Sequence, residues 1–256
     1  MHFIDSHCHF DFDAFAADRD TVWQQCRDAG VAQIVIPGVS TEQWPSLLAL
    51  VAGQPRWHAA IGVHPWWVAS LRMEPQQLHA LIVERAAAGS FIAVGECGLD
   101  AAAQAPLERQ LPVFEAQVRA VCDLNLPLIV HTHKAHNEVL RLLKKWRPPR
   151  GGVIHAFSGS EQMAADYWAL GFYLGIGGTI TYERAAKTRR AVAAAPLESL
   201  LLESDAPDMP LAGRQGQRNS PEFLPETAAV LAQLRDQPLQ EIARHTCRNT
   251  ELLFGL

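Results

Sequence analysis

The sequence predicts an α/β fold, a (β/α)8 TIM barrel formed by a single domain over residues 1–256. The chain has 256 residues, close to the roughly 250 that a complete barrel of this kind needs. Short apolar segments typical of strands alternate with helix-like segments along the whole sequence. Several apolar segments are continuous rather than alternating, as expected for a parallel sheet that is covered on both faces.

Eight strand–helix units can be placed along the sequence. The predicted strands cover residues 3–5, 33–36, 57–63, 91–95, 128–130, 153–154, 172–176 and 200–202. The predicted helices cover residues 18–30, 41–51, 75–88, 106–125, 135–146, 161–170 and 184–195, and one or two closing helices follow from residue 221. Strand–helix alternation implies right-handed parallel crossovers, and eight such units close into a barrel.

Turn and capping residues mark several boundaries between these elements. Gly30 ends the first helix, and a Pro-Gly pair at 37–38 ends the second strand. Thr41 is the expected N-cap of the second helix, and Pro75 suits the first turn of the third. Residues 208–221 are rich in glycine, proline, arginine and asparagine, so we expect one long loop there rather than a linker between domains.

Composition excludes several classes of protein. The net charge of −5 and the absence of a long basic run argue against a face that wraps duplex DNA, although metal ions can bind a single strand end. No apolar run reaches the roughly 18 residues that span a bilayer, so we expect neither a membrane anchor nor a cleaved signal peptide. Five cysteines without a CxxC pair predict reduced thiols in a cytoplasmic protein.

Histidines and carboxylates follow the predicted strands. In chain order they are His7, His9, His64, Glu96, His131, His155 and Asp205. The carboxyl ends of barrel strands form one rim, which is where the active sites of barrel enzymes lie. We therefore expect these side chains to meet at that rim.

The His7-Cys8-His9 segment is the most informative local pattern. Side chains two apart in a strand point the same way, so both imidazoles can bind one cation while Cys8 points elsewhere. Taken alone, the pair is a weak signal and is more typical of two polar histidines in a loop. Glu96 poses a similar choice, because a buried carboxylate needs either a cation or a salt bridge to an arginine.

The remaining candidates are also ambiguous when taken singly. His131 or His155 alone would be a hydrogen-bonded core histidine, and Asp205 alone would cap the next turn. Their joint occurrence at one rim predicts a metal site. The nitrogen and oxygen ligands suit one or two divalent ions, zinc, manganese, nickel or magnesium. Two ions would lie roughly 3.5–4 Å apart and share a bridging carboxylate.

These residues lie in motifs that resemble the TatD family of metal-dependent hydrolases, within the amidohydrolase-like barrels. The similarity covers nearly the whole chain and is greatest to the YjjV-like subgroup. The matching motifs are FIDSHCHFD at 3–11, GVHP at 62–65, VGECGLD at 94–100, PLIVH at 127–131, HAFSG at 155–159 and LLESDAP at 201–207.

The resemblance implies a ligand set and an activity. One ion would be held by His7, His9, Glu96 and Asp205, and a second ion, bridged by Glu96, would be completed by His131 and His155. Asp205 would orient or deprotonate the attacking water, and His64 would lie near the scissile phosphate. Family members are DNases supported by magnesium or manganese, often exonucleases, which implies a DNA strand end as the substrate.

Some positions depart from the family pattern. His133 stands where the family usually has arginine. Either Lys134 or His136 supplies the missing charge, or the substrate differs from that of the family. Residues 101–103 are three alanines in place of a loop that commonly carries an aromatic residue. Ser204 replaces a usual threonine, which is a conservative change.

Three functional hypotheses follow from these observations. The first is hydrolysis of phosphodiester bonds with Asp205 as the base, and with His64, Lys134 and Arg214 as candidates to bind phosphate oxygens. For Lys134 and Arg214 the alternative is a solvated surface charge. The second hypothesis keeps the metal site but cleaves an ester, amide or lactone bond of a small molecule or aminoacyl group. The third is a metal-binding scaffold without turnover.

Two further expectations concern partners. Trp66 and Trp67 either stack the bases of a single strand or pack their loop against the barrel. Nothing in the sequence indicates an obligate protein partner or a membrane.

Overall fold

The structure is a computed structural model that describes residues 1–89 and 91–256. Eight strands form one sheet in the order β1 to β8. The strands are β1 (Phe3–Asp5), β2 (Val31–Ile36), β3 (Trp57–Ile61), β4 (Ala93–Asp100), β5 (Leu128–His133), β6 (Gly152–Ile154), β7 (Phe172–Ile176) and β8 (Leu200–Leu202). The order of elements confirms the predicted (β/α)8 fold class.

Helices follow the strands throughout the described residues. They are α1 (Arg19–Asp28), α2 (Trp44–Val51), α3 (Pro75–Ala87), α4 (Leu107–Leu124), α5 (His136–Trp146), α6 (Glu161–Trp168), α7 (Ala186–Ala194), α8 (Leu224–Arg235) and α9 (Leu239–Phe254). Short 3-10 turns lie at Pro65–Trp67, after β3, and at Gly178–Thr181 and Glu183–Ala185, after β7. Among the described residues, no helix combines the length and the hydropathy of a bilayer-spanning segment.

Contacts divide the chain into two compact units. The first unit contains Met1–Ile36, His155–Ala169 and Tyr173–Leu256, and the second contains Pro37–Ile154 and Leu170–Phe172. The expectation of a single domain over residues 1–256 stays a prediction.

The first unit contains β1, β2, β8 and nearly all of β7. Strand β1 runs parallel to β2, and β7 runs parallel to β8. The Ser6 N–H donates to the Leu202 carbonyl over 2.9 Å, so the first and last strands of the sheet are neighbours, as a closed barrel requires. Helix α9 packs on β1 and β8, and its buried Asn249 donates to the carbonyls of Leu197 and Leu200, both over 2.9 Å.

The second unit contains β3 to β6, which pair in parallel in chain order. Strand β4 is longer than the others because its pairing with β5 continues to Asp100 and His133. Gly98 has a φ of +145°, and a Cβ there would lie 1.9 Å from the His131 carbonyl oxygen. Only glycine permits this close approach of the two backbones, which fixes the position of His131 on β5 relative to β4.

Several predicted boundaries were displaced. β4 was predicted at 91–95 but begins at Ala93 and includes Glu96, which therefore lies within a strand and not after it. His131 likewise lies within β5, because that strand continues beyond residue 130. The N-cap prediction for Thr41 was wrong: α2 begins at Trp44, after Gln43, whose side chain accepts a hydrogen bond from the Val39 N–H over 2.5 Å.

Gln117 on α4 provides a test of how the second unit supports its loops. Its Oε1 accepts the Val63 N–H over 2.8 Å, and its Nε2 donates to the Val63 carbonyl over 3.0 Å. Gln117→Leu leaves both buried backbone groups unpaired, so we expect a loss of about 2–4 kcal/mol in the free energy of unfolding, measured in urea. Gln162→Leu, at an exposed position of α6, is the matched control and should change it by less than about 0.5 kcal/mol. Equal losses in the two variants would contradict this account.

Candidate metal centre

The first ligand group consists of His7, His9 and Asp205, all in the first unit. Nε2 of His7 lies 3.4 Å from Nε2 of His9 and 3.5 Å from Oδ1 of Asp205. Nε2 of His9 lies 3.7 Å from the same carboxylate oxygen. The two histidines are buried, while the Asp205 side chain is 14 % exposed. Two imidazole nitrogens and one carboxylate oxygen therefore converge where solvent still reaches the carboxylate.

Backbone bonds on either side of the His7–His9 segment hold it extended. The Cys8 N–H donates to the Val35 carbonyl, and the His9 N–H donates to the Ala206 carbonyl. The Cys8 thiol faces the Ala206 carbonyl oxygen at 3.5 Å, so it has an acceptor of its own apart from the imidazole pair. Burial raises the pKa of the Cys8 thiol well above its ordinary value. Because thiolates are the form that binds metals, a protonated Cys8 is a poor ligand.

His155 and Glu203 flank the first group in the same unit. The His155 ring stacks on His7 with centroids 4.0 Å apart, and its Nδ1 lies 3.6 Å from Oε1 of Glu203. That oxygen also accepts the Ala156 N–H over 2.5 Å, and Glu203 is fully buried. Gly175 makes room for this carboxylate, because a Cβ at Gly175 would lie 2.0 Å from Oε2. Glu203 therefore holds the backbone at Ala156, next to His155.

Asp5 is a second buried carboxylate behind the first group. Its Oδ1 accepts the Ser204 N–H over 2.9 Å and the His7 N–H over 3.2 Å. Desolvation raises the pKa of Asp5 to about 7, against the opposing effect of the hydrogen bonds from Ser204 and His7. The charge of Glu203 raises this pKa further.

The second ligand group consists of His64, Glu96 and His131, all in the second unit. Oε1 of Glu96 lies 3.3 Å from Nε2 of His64 and 3.1 Å from Nδ1 of His131. All three residues are buried or nearly so. Two imidazoles thus face the Glu96 carboxylate.

Hydrogen bonds distinguish the two imidazoles of this group. The Trp66 N–H donates to Nδ1 of His64 over 3.1 Å, so in the neutral ring the proton lies on Nε2, which faces Glu96. His64 is therefore a donor to Glu96 and not a metal ligand in this state. Nε2 of His131 lies 3.2 Å from Oδ2 of Asp100, and in the tautomer that donates to Asp100 the lone pair lies on Nδ1, which faces Glu96.

Asp100 positions the second group through its contact with His131. Its oxygens also accept from Nδ1 of His133, Nε1 of Trp66 and the Ala102 N–H, each over 2.8 Å. Burial alone would raise the pKa of Asp100, but the hydrogen bonds from His131, Ala102, Trp66 and His133 outweigh it and hold the pKa far below its usual range. An Asp100 carboxylate with so low a pKa favours the tautomer of His131 that carries its proton on Nε2.

Both groups have the chemistry and spacing of a metal site. Ligand atoms roughly 2.0–2.1 Å from a tetrahedral ion lie about 3.3 Å from one another. The observed separations of 3.1 to 3.7 Å are close to that value. Imidazole nitrogen and carboxylate oxygen suit zinc, manganese, nickel or magnesium, and the choice among these ions stays a prediction.

The candidate phosphate-binding residues have different surroundings. Lys134 is exposed and follows β5 with a φ of +53°. Arg214 forms two hydrogen bonds to Glu226, over 2.7 and 2.8 Å, and its guanidinium lies 3.9 Å from the centre of the Phe223 ring. His64 lies beside Glu96, as described above.

The tryptophans after β3 differ from each other. Both rings pack edge-on against His64, with centroids 5.4 Å apart for Trp66 and 5.5 Å apart for Trp67. They differ in exposure and bonding, because Trp66 is 59 % exposed and its Nε1 donates to Asp100. Base stacking by either tryptophan stays a prediction.

Sequence reasoning assigned no role to three of the supporting carboxylates, Asp5, Asp100 and Glu203. The signal was present, because each lies at or just after the end of an apolar strand, where an acid needs several donors or a cation.

Comparison with known proteins gives a consistent assignment. A family model described as TatD related DNase matches residues 4–255. The chain is 43% identical over 256 residues to the metal-dependent hydrolase YjjV of Escherichia coli K12, covering 99% of this chain and 98% of that protein. It is 34% identical to the 3'-5' ssDNA/RNA exonuclease TatD of Erwinia amylovora, covering 94% and 95%.

Solved structures show the same fold. The crystal structure of Escherichia coli K12 YjjV superposes with a TM-score of 0.93 at 42% identity, covering 99% of this chain and 98% of that one. An Escherichia coli phosphotriesterase homology protein superposes with a TM-score of 0.71 at 16% identity, covering 100% and 99%, and supports the fold alone.

The raised pKa of Asp5 predicts how stability depends on pH in metal-free protein. The folded state keeps the Asp5 proton up to about pH 7, whereas the unfolded chain releases it near 3.8. Wild-type stability should therefore fall as pH rises from 4 to 7, relative to Asp5→Asn, which keeps an oxygen acceptor but does not titrate. The difference in unfolding free energy between the two proteins should change by at most about 4 kcal/mol between pH 4 and pH 8, measured in urea with a chelator. Parallel pH profiles for the two proteins would contradict this assignment.

Proposed function

We propose that this protein, which belongs to the TatD-related DNase family of metal-dependent hydrolases, cleaves phosphodiester bonds at the end of a single nucleic-acid strand. One observation carries the proposal: two groups of imidazoles and carboxylates have their ligand atoms at the separations that a divalent ion requires. The Erwinia amylovora relative is named as a 3'-5' exonuclease of ssDNA and RNA, which supports the substrate class and direction.

The proposed ligand set follows the family resemblance. Two divalent ions are assigned to His7, His9, Glu96, His131, His155 and Asp205, with Glu96 shared between them. Support comes from each group separately, through the clustering of His7, His9 and Asp205 and through the lone pair of His131 directed at Glu96. Bound ions of this kind supply Lewis acidity that activates water and neutralises charge on the phosphoryl group.

Asp205 is the proposed base. Its Oδ1 lies within 3.5 to 3.7 Å of two imidazole nitrogens, which fixes the direction of the carboxylate. Partial exposure allows water to reach it, and a carboxylate so placed takes the proton of the attacking water. The Asp205 N–H donates to the His7 carbonyl over 2.9 Å, which holds the backbone of the base beside that of His7.

Residues beside the second group are proposed to bind and orient the phosphate. Nε2–H of His64 donates to Glu96. In the proposed complex a phosphate oxygen competes with Glu96 for this hydrogen bond. Lys134, exposed directly after β5, is the cation closest in sequence to His131. Arg214 remains a weaker candidate, because Glu226 already accepts from both of its terminal nitrogens.

A second candidate function is hydrolysis of an ester, amide or lactone bond at the same groups. The observation that favours it is His133, which is held 2.8 Å from Asp100 and carries no fixed positive charge where the family usually has arginine. A side-by-side assay of single-stranded DNA, bis(4-nitrophenyl) phosphate and aryl esters separates the two candidates. Turnover confined to the aryl esters would reject the phosphodiester proposal.

Removal of the proposed base tests the mechanism. Asp205→Asn should lower kcat on single-stranded DNA by about 100-fold or more, because general-base catalysis contributes that much or more to rates. Asp208→Asn changes an exposed carboxylate three residues later and should retain wild-type activity. EDTA should abolish the activity of both the wild type and Asp208→Asn, and added Mn²⁺ or Mg²⁺ should restore it. Full activity of metal-free protein, or of Asp205→Asn, would refute the proposal.

A further inference from the structure

A cavity of about 290 Å³ opens between the segment that follows β7 and the loop that follows β8. We call it the Tyr182 cavity, and its lining residues are Thr179, Tyr182, Arg184, Ala185, Met209 and Pro210. It lies wholly within the first unit. Its volume is just below the roughly 300–1,000 Å³ of small-molecule sites, enough for one flat ring system but not for a length of strand.

The walls of the Tyr182 cavity are held by specific bonds. The Tyr182 hydroxyl donates to the Pro210 carbonyl over 2.7 Å, which ties the two segments together. Beside it, the Thr181 hydroxyl accepts the Ala212 N–H over 2.8 Å. Asn219 donates to the Met209 carbonyl over 3.3 Å, at a residue whose φ is +53°. Left-handed backbone at a methionine is unfavourable and persists only where the surroundings hold it, so this loop has a defined shape.

Position connects the cavity to the first ligand group. Strands β7 and β8 end at Ile176 and Leu202, so both segments leave from their carboxyl ends. In a barrel those ends form the rim that carries active sites, and Asp205 lies on the same loop, four residues before Met209.

The lining chemistry is suited to an aromatic, anionic ligand. The Arg184 guanidinium lies 4.5 Å from the centre of the Tyr182 ring, so an aromatic face and a cation occur together. Met209 is 40 % exposed, an unusual position for a large apolar side chain, and its flexible thioether adapts to flat rings. Residues 183–190 carry four cations, Arg184, Lys187, Arg189 and Arg190, against one acid, Glu183, in a chain whose net charge is −5.

We propose that the Tyr182 cavity is a subsite for one nucleobase of the strand that is cleaved, with Arg184 at the mouth binding a flanking phosphate. The base packs against the Tyr182–Arg184 pair and Met209, as single-strand binding proteins stack bases on aromatic and arginine planes. Stacking is tolerant of sequence because every base presents a flat face, so the subsite favours the presence of a base over its identity. This inference rests on the proposed phosphodiesterase function.

Abasic substitution tests the subsite directly. Single-stranded oligonucleotides that are identical except for one abasic residue, moved stepwise along the strand, are compared with the intact strand by kcat/KM. For the wild type we expect one position at which loss of the base lowers kcat/KM about tenfold or more. Tyr182→Leu should reduce that ratio to near one. Tyr182→Phe keeps the ring, loses only the hydroxyl bond to Pro210, and should preserve the ratio.

Paired arginine variants test the phosphate contact. Arg184→Ala should lower kcat/KM on the intact strand several-fold more than Arg190→Ala at the same ionic strength. Arg190 is the matched control because it is exposed, carries the same charge on the same segment and does not line the cavity. Equal effects of the two variants would reduce Arg184 to a diffuse surface charge and overturn its assignment.

A binding measurement separates failure of the subsite from failure of the proposed function. Calorimetry with chelator-treated protein compares a deoxynucleoside monophosphate with deoxyribose 5-phosphate, in wild type and in Tyr182→Leu. Tighter binding of the nucleotide that is lost in Tyr182→Leu supports the subsite even if no strand is hydrolysed, in which case only the proposed function falls. Equal binding of the two ligands, a uniform abasic series, or a ratio unchanged in Tyr182→Leu overturns the subsite.

Discussion

A buried carboxylate must be matched by donors or by a cation, and this constraint governs both ligand groups. In the first group the Asp205 oxygen faces two imidazole nitrogens, and in the second the Glu96 oxygen does the same. Neutral imidazoles match a carboxylate charge only in part, and protonated ones would be costly to bury. A divalent ion would remove the difficulty, because the lone pairs of His7, His9 and His131 and the carboxylate charges could then face a positive centre. We therefore expect the arrangement to be more stable with metal bound.

Supporting carboxylates make each group rigid before any ion binds. Asp100 accepts four hydrogen bonds and fixes the tautomer of His131, while Glu203 holds the backbone beside His155. Such outer partners orient ligands and tune their basicity, and their loss is usually felt as weaker metal binding. The different states of Asp5 and Asp100 illustrate the same principle. Full burial outweighs the hydrogen bonds to Asp5 and raises its pKa, whereas the hydrogen bonds to Asp100 outweigh its burial and lower its pKa.

The sequence was sufficient to predict the fold and to single out side chains that the structure brings together within each group, while their assignment as ligands stays a prediction. Particular residues show why the rest was missed. Strands β1, β7 and β8 could be bounded correctly because each is an apolar run with polar or turn residues on both sides. Strand β4 could not, because Glu96 and Gly98 are poor strand formers that only pairing with β5 keeps extended. The role of Glu203 depends on an N–H 47 residues away, a contact that no local pattern reveals. The Tyr182 cavity could not be predicted for the same reason, because its two walls are distant along the chain and carry no motif.

Location of bound metal by anomalous X-ray scattering from crystals grown with Mn²⁺ tests the central claim most directly. The account predicts anomalous peaks within coordination distance of Nε2 of His7 and His9 and of Nδ1 of His131, with carboxylate oxygens of Asp205 and Glu96 completing the ligands. Strong peaks only at other residues, or none at saturating metal in well-ordered crystals, would contradict it.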